Sequence, residues 1–151
     1  MEIRRIPADS EHALWLVQSM IDEMIEVYGI GLDAGPSATP QDFSPPGGGF
    51  VAIYDEERPV AGGGIKRLAD DQAEIKRMFV VRDARGRGVA RRLLGALEAL
   101  ARELGYARTR LDTGNRQPHA LSLYLSAGYF EIPDYNGNPN ASFWGEKVLE
   151  P

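Results

Sequence analysis

The stretch from Arg82 to Leu104, "RDARGRGVARRLLGALEALAREL", sets two glycines among arginines directly before a helical pattern. Apolar residues then recur at intervals of three and four, which predicts the buried face of a helix ended by Gly105. They are Leu93, Leu94, Leu97, Leu100, Ala101 and Leu104. The first turn of a helix has backbone N–H groups without intrahelical partners, and its dipole favours an anion. Because glycine lets phosphate oxygens approach the backbone, Gly86 and Gly88 predict a pyrophosphate site here.

Positive charge is concentrated at the same place, although the whole chain is acidic. The net charge of −5 argues against a nucleic-acid partner, which needs a basic face. Seven of the 17 basic residues nevertheless lie between residues 76 and 92, against the single acid Asp83. They are Lys76, Arg77, Arg82, Arg85, Arg87, Arg91 and Arg92. A run of charge is usually a solvated face, but its coincidence with glycines and a helix start favours an anion site.

Two common pyrophosphate motifs do not fit this stretch. A P-loop needs Lys-Ser or Lys-Thr after its last glycine, and the chain contains neither pair. A dinucleotide-binding loop needs a small residue three positions after its second glycine, where this chain has Arg91. A nucleotide or dinucleotide binder of another fold is therefore a weak alternative.

The rest of the chain predicts one α/β domain over residues 1–151. Apolar and polar patterns give the order β-α-β-β-β-α-β-α-β-β, a mixed sheet with helices packed on it. The first helix, within residues 7–29, could be broken once. Glycines 62–64 lie inside a strand and indicate a bulge or a close backbone approach. Residues 30–49 form a long loop that is either a mobile surface segment or part of a binding site.

Several classes of function are disfavoured by composition. No apolar run approaches the roughly 18 residues of a membrane span, and the N-terminus lacks the apolar region of a signal peptide. Without cysteine there is no disulfide, no thiolate metal site and no cysteine nucleophile. His12 and His119 lack metal-ligand partners at a useful spacing, so no metal is expected. A cytoplasmic location is the default expectation.

Arg85, Gly88 and Ala90 follow the pattern R/Q-x-x-G-x-G/A. This pattern resembles the acetyl-CoA signature of the GNAT family of N-acetyltransferases. "EIKRMFV" resembles its fourth strand, and "RLDTGNRQPHALSLYLSAGYFEI" resembles its fifth strand and the following helix. The resemblance covers residues 50–150 in detail and the N-terminal part in outline. It implies a single mixed, mostly antiparallel sheet of about seven strands flanked by about four helices.

The resemblance also implies the co-substrate and its site. Acetyl-CoA would lie in a V-shaped opening between the fourth and fifth strands, with pantetheine on the strand backbone and pyrophosphate on the helix amides. The implied binding residues are Met78, Phe79, Val80, Val81, Arg82, Arg85, Gly86, Arg87, Gly88, Val89, Ala90, Asn115, Gln117 and Tyr124. For each arginine the alternative is simple exposure to solvent. The family asparagine seven residues before Tyr124 is replaced by Gln117, so Asn115 or Gln117 could make that contact.

Acetyl transfer to an amine needs a base and benefits from an acid. A lysine-like amine has a pKa near 10.4, so only about one in two or three thousand is neutral at pH 7. Glu74 is the candidate general base, acting through water. Tyr124 holds the family position of the general acid, which gives a proton to the CoA thiolate. The alternatives are an exposed Glu74 paired with Lys76 or Arg77, and a Tyr124 that only packs the core.

Strict alternation would place Glu74, Lys76 and Met78 on one face of their strand. A strand N–H near Phe79 could stabilise the oxyanion of the reaction.

The predicted function is therefore acetyl transfer from acetyl-CoA to a primary amine of a small molecule or protein. The alternative is a non-catalytic acyl-CoA sensor. The acceptor pocket would be built from the second helix and the loops 31–49 and 133–142. Tyr28 and Phe43 could line it or belong to the core, while Trp15 and Met24 are expected in the core. A homodimer through the last strands is an expectation at the family level.

Overall fold

The structure is a computed structural model, and it describes residues 1–29 and 38–150. The strands are β1 (Glu2–Ile6), β2 (Gly49–Asp55), β3 (Arg58–Ala69), β4 (Gln72–Val80), β5 (Arg108–Thr113), β6 (Phe130–Glu131) and β7 (Phe143–Val148). The helices are α1 (Glu11–Tyr28), α2 (Val89–Glu103) and α3 (Pro118–Ser126). Two short 3₁₀ helices, Pro40–Phe43 and Arg82–Ala84, complete the regular structure of the described residues.

The predicted order of strands and helices is confirmed. All seven strands form one sheet in the order β1-β2-β3-β4-β5-β7-β6. β4 and β5 run parallel, and the other neighbouring pairs are antiparallel, so the sheet is mixed as expected. The predicted break in the first helix is absent, because α1 continues for 18 residues. The described ranges accordingly hold three α-helices and two 3₁₀ helices where about four helices were expected. None of their helices is long and apolar enough to cross a membrane.

The three glycines of β3 let the helices on both faces approach the sheet closely. A Cβ on Gly62 would lie 2.7 Å from Leu16 of α1, and a Cβ on Gly63 would lie 3.0 Å from Leu97 of α2. Because neighbouring strand residues point to opposite faces, α1 and α2 lie on opposite sides of the sheet. The predicted close backbone approach is confirmed.

The same glycines lie opposite a bulge in β4. Gly62 pairs with Phe79 and Gly64 with Lys76, so Gly63 faces the two residues 77 and 78. Arg77 takes the extra position with a φ of 62°. The predicted sharing of one face by Glu74, Lys76 and Met78 is wrong for Met78, because the bulge interrupts the alternation. Met78 lies on the α2 side, where its Cγ would be 3.1 Å from a Cβ on Gly63.

β4 and β5 separate after three residue pairs. Residues 72–74 pair with residues 108–110, but β4 then continues to Val80 without β5 beside it. At its far end the Val81 N–H donates to the Val60 carbonyl at 2.9 Å. Since neighbouring residues of an antiparallel strand direct their polar groups to opposite edges, Val80 directs its N–H and C=O towards the gap. The expected V-shaped opening is therefore present.

Candidate active site at the parting of β4 and β5

A cleft of about 610 Å³ opens where β4 and β5 separate. Residues from α1, β3, β4, β5, α3 and the segment 136–140 line it. Four of the predicted catalytic and cofactor-binding residues are among them: Glu74, Met78, Gln117 and Tyr124. The predicted phosphate-binding residues Arg82 and 85–90 lie outside the cleft lining, before α2 and in its first turn. The structure thus brings both candidate catalytic residues into one cavity.

Glu74 is buried in the wall of this cleft, with 3% of its surface exposed. The Tyr135 hydroxyl donates to its Oε2 at 2.6 Å, and Asn136 Nδ2 donates to the same oxygen at 3.1 Å. Lys76 Nζ lies 3.8 Å from it. The alternative of an exposed strand glutamate is therefore wrong, although the expected pairing with Lys76 is present. Burial and the Glu74 charge raise the pKa of Tyr135, which keeps that hydroxyl a donor.

A second carboxylate lies beside Glu74. Asn136 Nδ2 also donates to Asp112 Oδ2 at 2.6 Å, so one amide group joins the two carboxylates. The Trp144 indole N–H donates to Asn136 Oδ1 at 2.9 Å and fixes the orientation of that amide. No role was predicted from the sequence for Asp112, Tyr135 or Asn136. Two features of the sequence could have indicated them: an acid inside the strand "RTRLDT" and the polar run "DYNGNPN".

Tyr124 reaches the cleft from α3 and is 7% exposed. Its hydroxyl lies 3.8 Å from Met78 Sδ. Burial, with a contribution from the Asp112 charge, raises the pKa of Tyr124 above its ordinary value. The phenol is therefore protonated throughout the neutral pH range, as a proton donor must be. Tyr124 therefore packs against the core and also lines the cleft, where a general acid would have to lie.

The loop before α2 has the backbone that the glycines predicted. Gly86 and Gly88 have φ values of 79° and 75°, in the left-handed region that favours glycine. No atom lies within 4 Å of a Cβ built on either residue, so backbone conformation and not crowding explains both. Gly88 caps α2, and the amides of residues 89–91 have no intrahelical acceptor. The helix start can therefore receive an anion.

Two of the arginines assigned to the phosphates are already paired with acids of α1. Arg82 donates to Glu23 at 3.0 Å and to Glu26 at 2.8 Å. Arg85 donates to both oxygens of Glu23 at 2.8 Å and to the Val80 carbonyl at 2.9 Å. Burial raises the pKa of Glu23, but the hydrogen bonds and charges of the two arginines outweigh burial and hold it below its usual value. Arg82, Arg85 and Arg87 are all exposed, as the alternative interpretation expected, but Arg82 and Arg85 are also held by Glu23.

Other predicted positions divide between the cleft and the surface. Gln117 lines the cleft, and its Oε1 accepts a hydrogen bond from the Tyr28 hydroxyl at 3.3 Å, whereas Asn115 is exposed. Tyr28 therefore lines the cavity, while Phe43 belongs to the core. The expectation that Trp15 is a core residue is wrong, since 45% of its surface is exposed. Met24, expected in the core as well, lies in the cleft wall. Residues 31–37 of the predicted acceptor loop 31–49 lie outside the described ranges.

Comparison with known proteins assigns the family. Residues 14–129 match the model of the acetyltransferase (GNAT) family. The chain belongs to this family. An uncharacterized N-acetyltransferase of Escherichia coli (strain K12) is 32% identical over 129 residues, which is 79% of this chain and 77% of the relative. The predicted family and the enzyme class, acyltransferase, are thereby confirmed.

Solved structures show the same fold. A GNAT-family acetyltransferase from Staphylococcus aureus Mu50 superposes with a TM-score of 0.81 over 99% of this chain and 100% of that chain, at 18% identity. An aminoglycoside 6′-N-acetyltransferase complexed with coenzyme A gives a TM-score of 0.76 over 100% of this chain and 98% of that chain, at 17% identity. At these identities the likeness concerns the GNAT fold alone.

Proposed function

We propose that this GNAT protein transfers the acetyl group of acetyl-CoA to a primary amine of a small molecule or a protein. The observation that carries the proposal is the position of Glu74 and Tyr124. They come from β4 and α3, 50 residues apart in the sequence, yet both line the cleft where β4 and β5 separate. A base and an acid of the predicted types therefore share the place where the reaction would occur.

Two features of this chain suit acetyl-CoA as the co-substrate. The amides that open α2 can receive a pyrophosphate, and the edge of β4 that β5 leaves free can hydrogen-bond pantetheine like an added strand. The position of Gln117 in the cleft favours it over Asn115 for the remaining polar contact. The structural neighbour complexed with coenzyme A supports acetyl-CoA as the co-substrate. The roles of Arg82, Arg85 and Arg87, the single domain, the homodimer and the cytoplasmic location remain predictions.

The mechanism uses three groups of the chain. Acetyl-CoA supplies an acetyl group activated as a thioester. Glu74, held by Tyr135 and Asn136, accepts the proton of the amine through a water molecule while the new C–N bond forms. A β4 backbone N–H near Phe79 donates to the acetyl oxygen as negative charge develops there. Tyr124 donates its proton to the sulfur as the C–S bond breaks.

The proposal is tested with Tyr124→Phe and Glu74→Gln in an assay of free CoA released with a panel of amines. We expect each variant to lower turnover about 100-fold or more, which is the usual contribution of a general acid or base. Both should keep the rise in melting temperature that CoA causes, because neither substitution touches the start of α2. Tyr106→Phe and Glu103→Gln are the matched controls, since Tyr106 is a buried tyrosine and Glu103 an exposed glutamate, and neither lines the cleft.

The same measurements separate the competing functions. Turnover unchanged in Tyr124→Phe would remove this tyrosine from the mechanism. Stabilisation by CoA without thiol release for any amine would identify a sensor. Equal stabilisation by NAD or ATP would indicate a nucleotide binder instead.

A further inference from the structure

The acceptor side of the cleft contains as many cations as acids. The cations Lys66, Lys76 and Arg77 line it from β3 and β4. The acids Asp42, Glu74 and Asp112 line it from the 3₁₀ helix 40–43, β4 and β5. The mechanism above uses Glu74 but gives no task to Lys66 or Arg77. The presence of these two cations in the cleft is therefore not explained by the chemistry of acetyl transfer.

Arg77 is held in the cleft wall at a conformational cost. Its φ of 62° lies in the left-handed region, which costs a residue other than glycine about 1 kcal/mol or more. The guanidinium lies 4.9 Å from the centre of the Phe43 ring, and Nη2 donates to the Ala38 carbonyl. Burial lowers the pKa of Arg77, and the charge of Asp42 only partly opposes this. The bulge of β4 thus directs a partly desolvated guanidinium into the cavity.

Neither Arg77 nor Lys66 forms an ion pair within 4.0 Å among residues 1–29 and 38–150. Lys66 lies directly opposite Glu74 in the register of β3 and β4, so both side chains point to the same face. Lys76 differs from them, because its Nζ is 3.8 Å from Glu74. The half-buried guanidinium of Arg77 contacts the Ala38 carbonyl and the Phe43 ring but has no carboxylate oxygen within 4.0 Å in the described ranges, so an anionic ligand could stabilise it further.

We propose that the acceptor is an amine that also bears a carboxylate, as an amino acid does, and that Arg77 and Lys66 bind this carboxylate. The inference rests on the proposed acetyl transfer and names its substrate class. The planar fork of a guanidinium matches a carboxylate through two parallel hydrogen bonds. Glu74 and Asp112, joined through Asn136, receive the amino end. Because cations and acids are equal in number, a zwitterion leaves the cleft neutral, whereas a phosphate dianion would not.

The apolar part of the wall agrees with a small acceptor of this kind. Met20, Met24 and Tyr28 of α1 line the same cavity. They offer an apolar surface for the carbon skeleton between the two charged ends. The volume of about 610 Å³ lies within the range of small-molecule sites.

The test compares amino acids with their carboxamides, which keep the amine and neutralise the carboxylate. For the wild-type protein we expect kcat/KM, followed as free CoA, to be at least about tenfold higher for the acid of each pair. Arg77→Gln should lower kcat/KM for the acid about tenfold or more, mainly through KM, and change the carboxamide less than about twofold. Arg77→Lys should recover part of the loss. Arg5→Gln, on the far strand β1, is the control and should change neither substrate.

The outcomes distinguish this inference from the function on which it rests. Equal kcat/KM for acids and carboxamides would overturn the carboxylate site and leave acetyl transfer intact. If no amine releases CoA, the acetyl-transfer proposal fails. Calorimetry of the same pairs in the presence of CoA then measures the preference for a carboxylate directly. Equal affinities for the amino acid and its carboxamide would overturn the carboxylate site. If Arg77→Gln does not fold, Lys66→Met replaces it with the same expected direction, and an unchanged preference in Lys66→Met would contradict the proposal.

Discussion

Glu23 joins α1 to the loop that precedes α2. Its carboxylate accepts one hydrogen bond from Arg82 and two from Arg85, and only 16% of its side chain is exposed. Arg85 also reaches back to the Val80 carbonyl. One acid therefore positions two arginines beside the predicted phosphate site and the open edge of β4.

This residue should make stability depend on pH. Because the pKa of Glu23 is lower in the folded protein, its stabilising effect is present above the unfolded pKa of about 4.3 and is lost as the pH falls through the folded value. We expect Glu23→Gln to lower the free energy of unfolding by about 1–2 kcal/mol at pH 7 and by much less at pH 3. Urea denaturation of both proteins at several pH values measures the difference.

Glu26→Gln is the matched control for this effect. Glu26 pairs with Arg82 at a similar distance, but 67% of its side chain is exposed. An exposed pair of this kind contributes about 0–1 kcal/mol. A destabilisation by Glu23→Gln that is the same at pH 7 and pH 3 would show that shape, not charge, explains the role of Glu23.

At this scale the sequence predicts some residues of the site and not others. Glu74 and Tyr124 were found because their positions belong to recognisable motifs, and both lie in the cleft. The partners of Arg82 and Arg85 were not found, since Glu23 lies 59 and 62 positions away and only the folded chain brings it near. Asp112 was missed for the same reason, because its link to Glu74 runs through Asn136, from another loop.

At the scale of elements, two glycines of α2 have opposite requirements, one as its N-cap and one inside the helix. Gly88 caps the helix with a φ of 75°, whereas Gly95 lies exposed inside the helix, with no atom within 4 Å of a built Cβ. Gly88→Ala should destabilise the protein by about 1 kcal/mol, because alanine is strained in the left-handed region. Gly95→Ala should stabilise it by about 0.5–1 kcal/mol, because alanine favours the helix. Thermal unfolding of both variants measures this contrast.

The two variants should also differ in their response to coenzyme A. Gly88→Ala disturbs the amides that would hold the pyrophosphate, so the melting temperature should rise less on addition of CoA than it does in the wild type. Gly95→Ala leaves those amides in place and should respond as the wild type does. An equal response of both variants would exclude the start of α2 from the binding site.

The order of the strands and helices was predicted well, whereas the position of the bulge in β4 was not. Hydrophobic periodicity and turn residues suffice for the order of the seven strands and three helices in the described part of the chain, because each helix and strand buries one face. The glycines of β3 even indicated an irregularity near β4. The sequence did not show which residue takes the bulge, so Met78 was expected on the wrong face and Arg77 received no role in the cleft. Arg77 packs against Phe43, which comes from another element, and Met78 lies beside Gly63 on the α2 side.

At the scale of the whole molecule, the candidate active site exists because β5 pairs with only part of β4. β4 and β5 are the one parallel pair among the described strands, and they share three residue pairs before they separate. The gap leaves the edge of β4 without a partner strand, which is unfavourable for its backbone groups unless a ligand or water replaces β5. A molecule with amide groups, laid along β4, would complete the sheet.

Coenzyme A should therefore stabilise the whole protein while it protects two separate segments. At 100 times its dissociation constant, a ligand of the folded state adds about 2.7 kcal/mol, or about 5–10 °C in Tm for a chain of 151 residues. Hydrogen exchange should slow on CoA binding in residues 78–81 and 87–91, and stay unchanged in β1 at the far edge of the sheet. NAD at the same concentration is the control and should produce neither effect. Protection confined to residues 87–91 would mean that CoA binds through its phosphates alone and leaves β4 open, contrary to the mechanism.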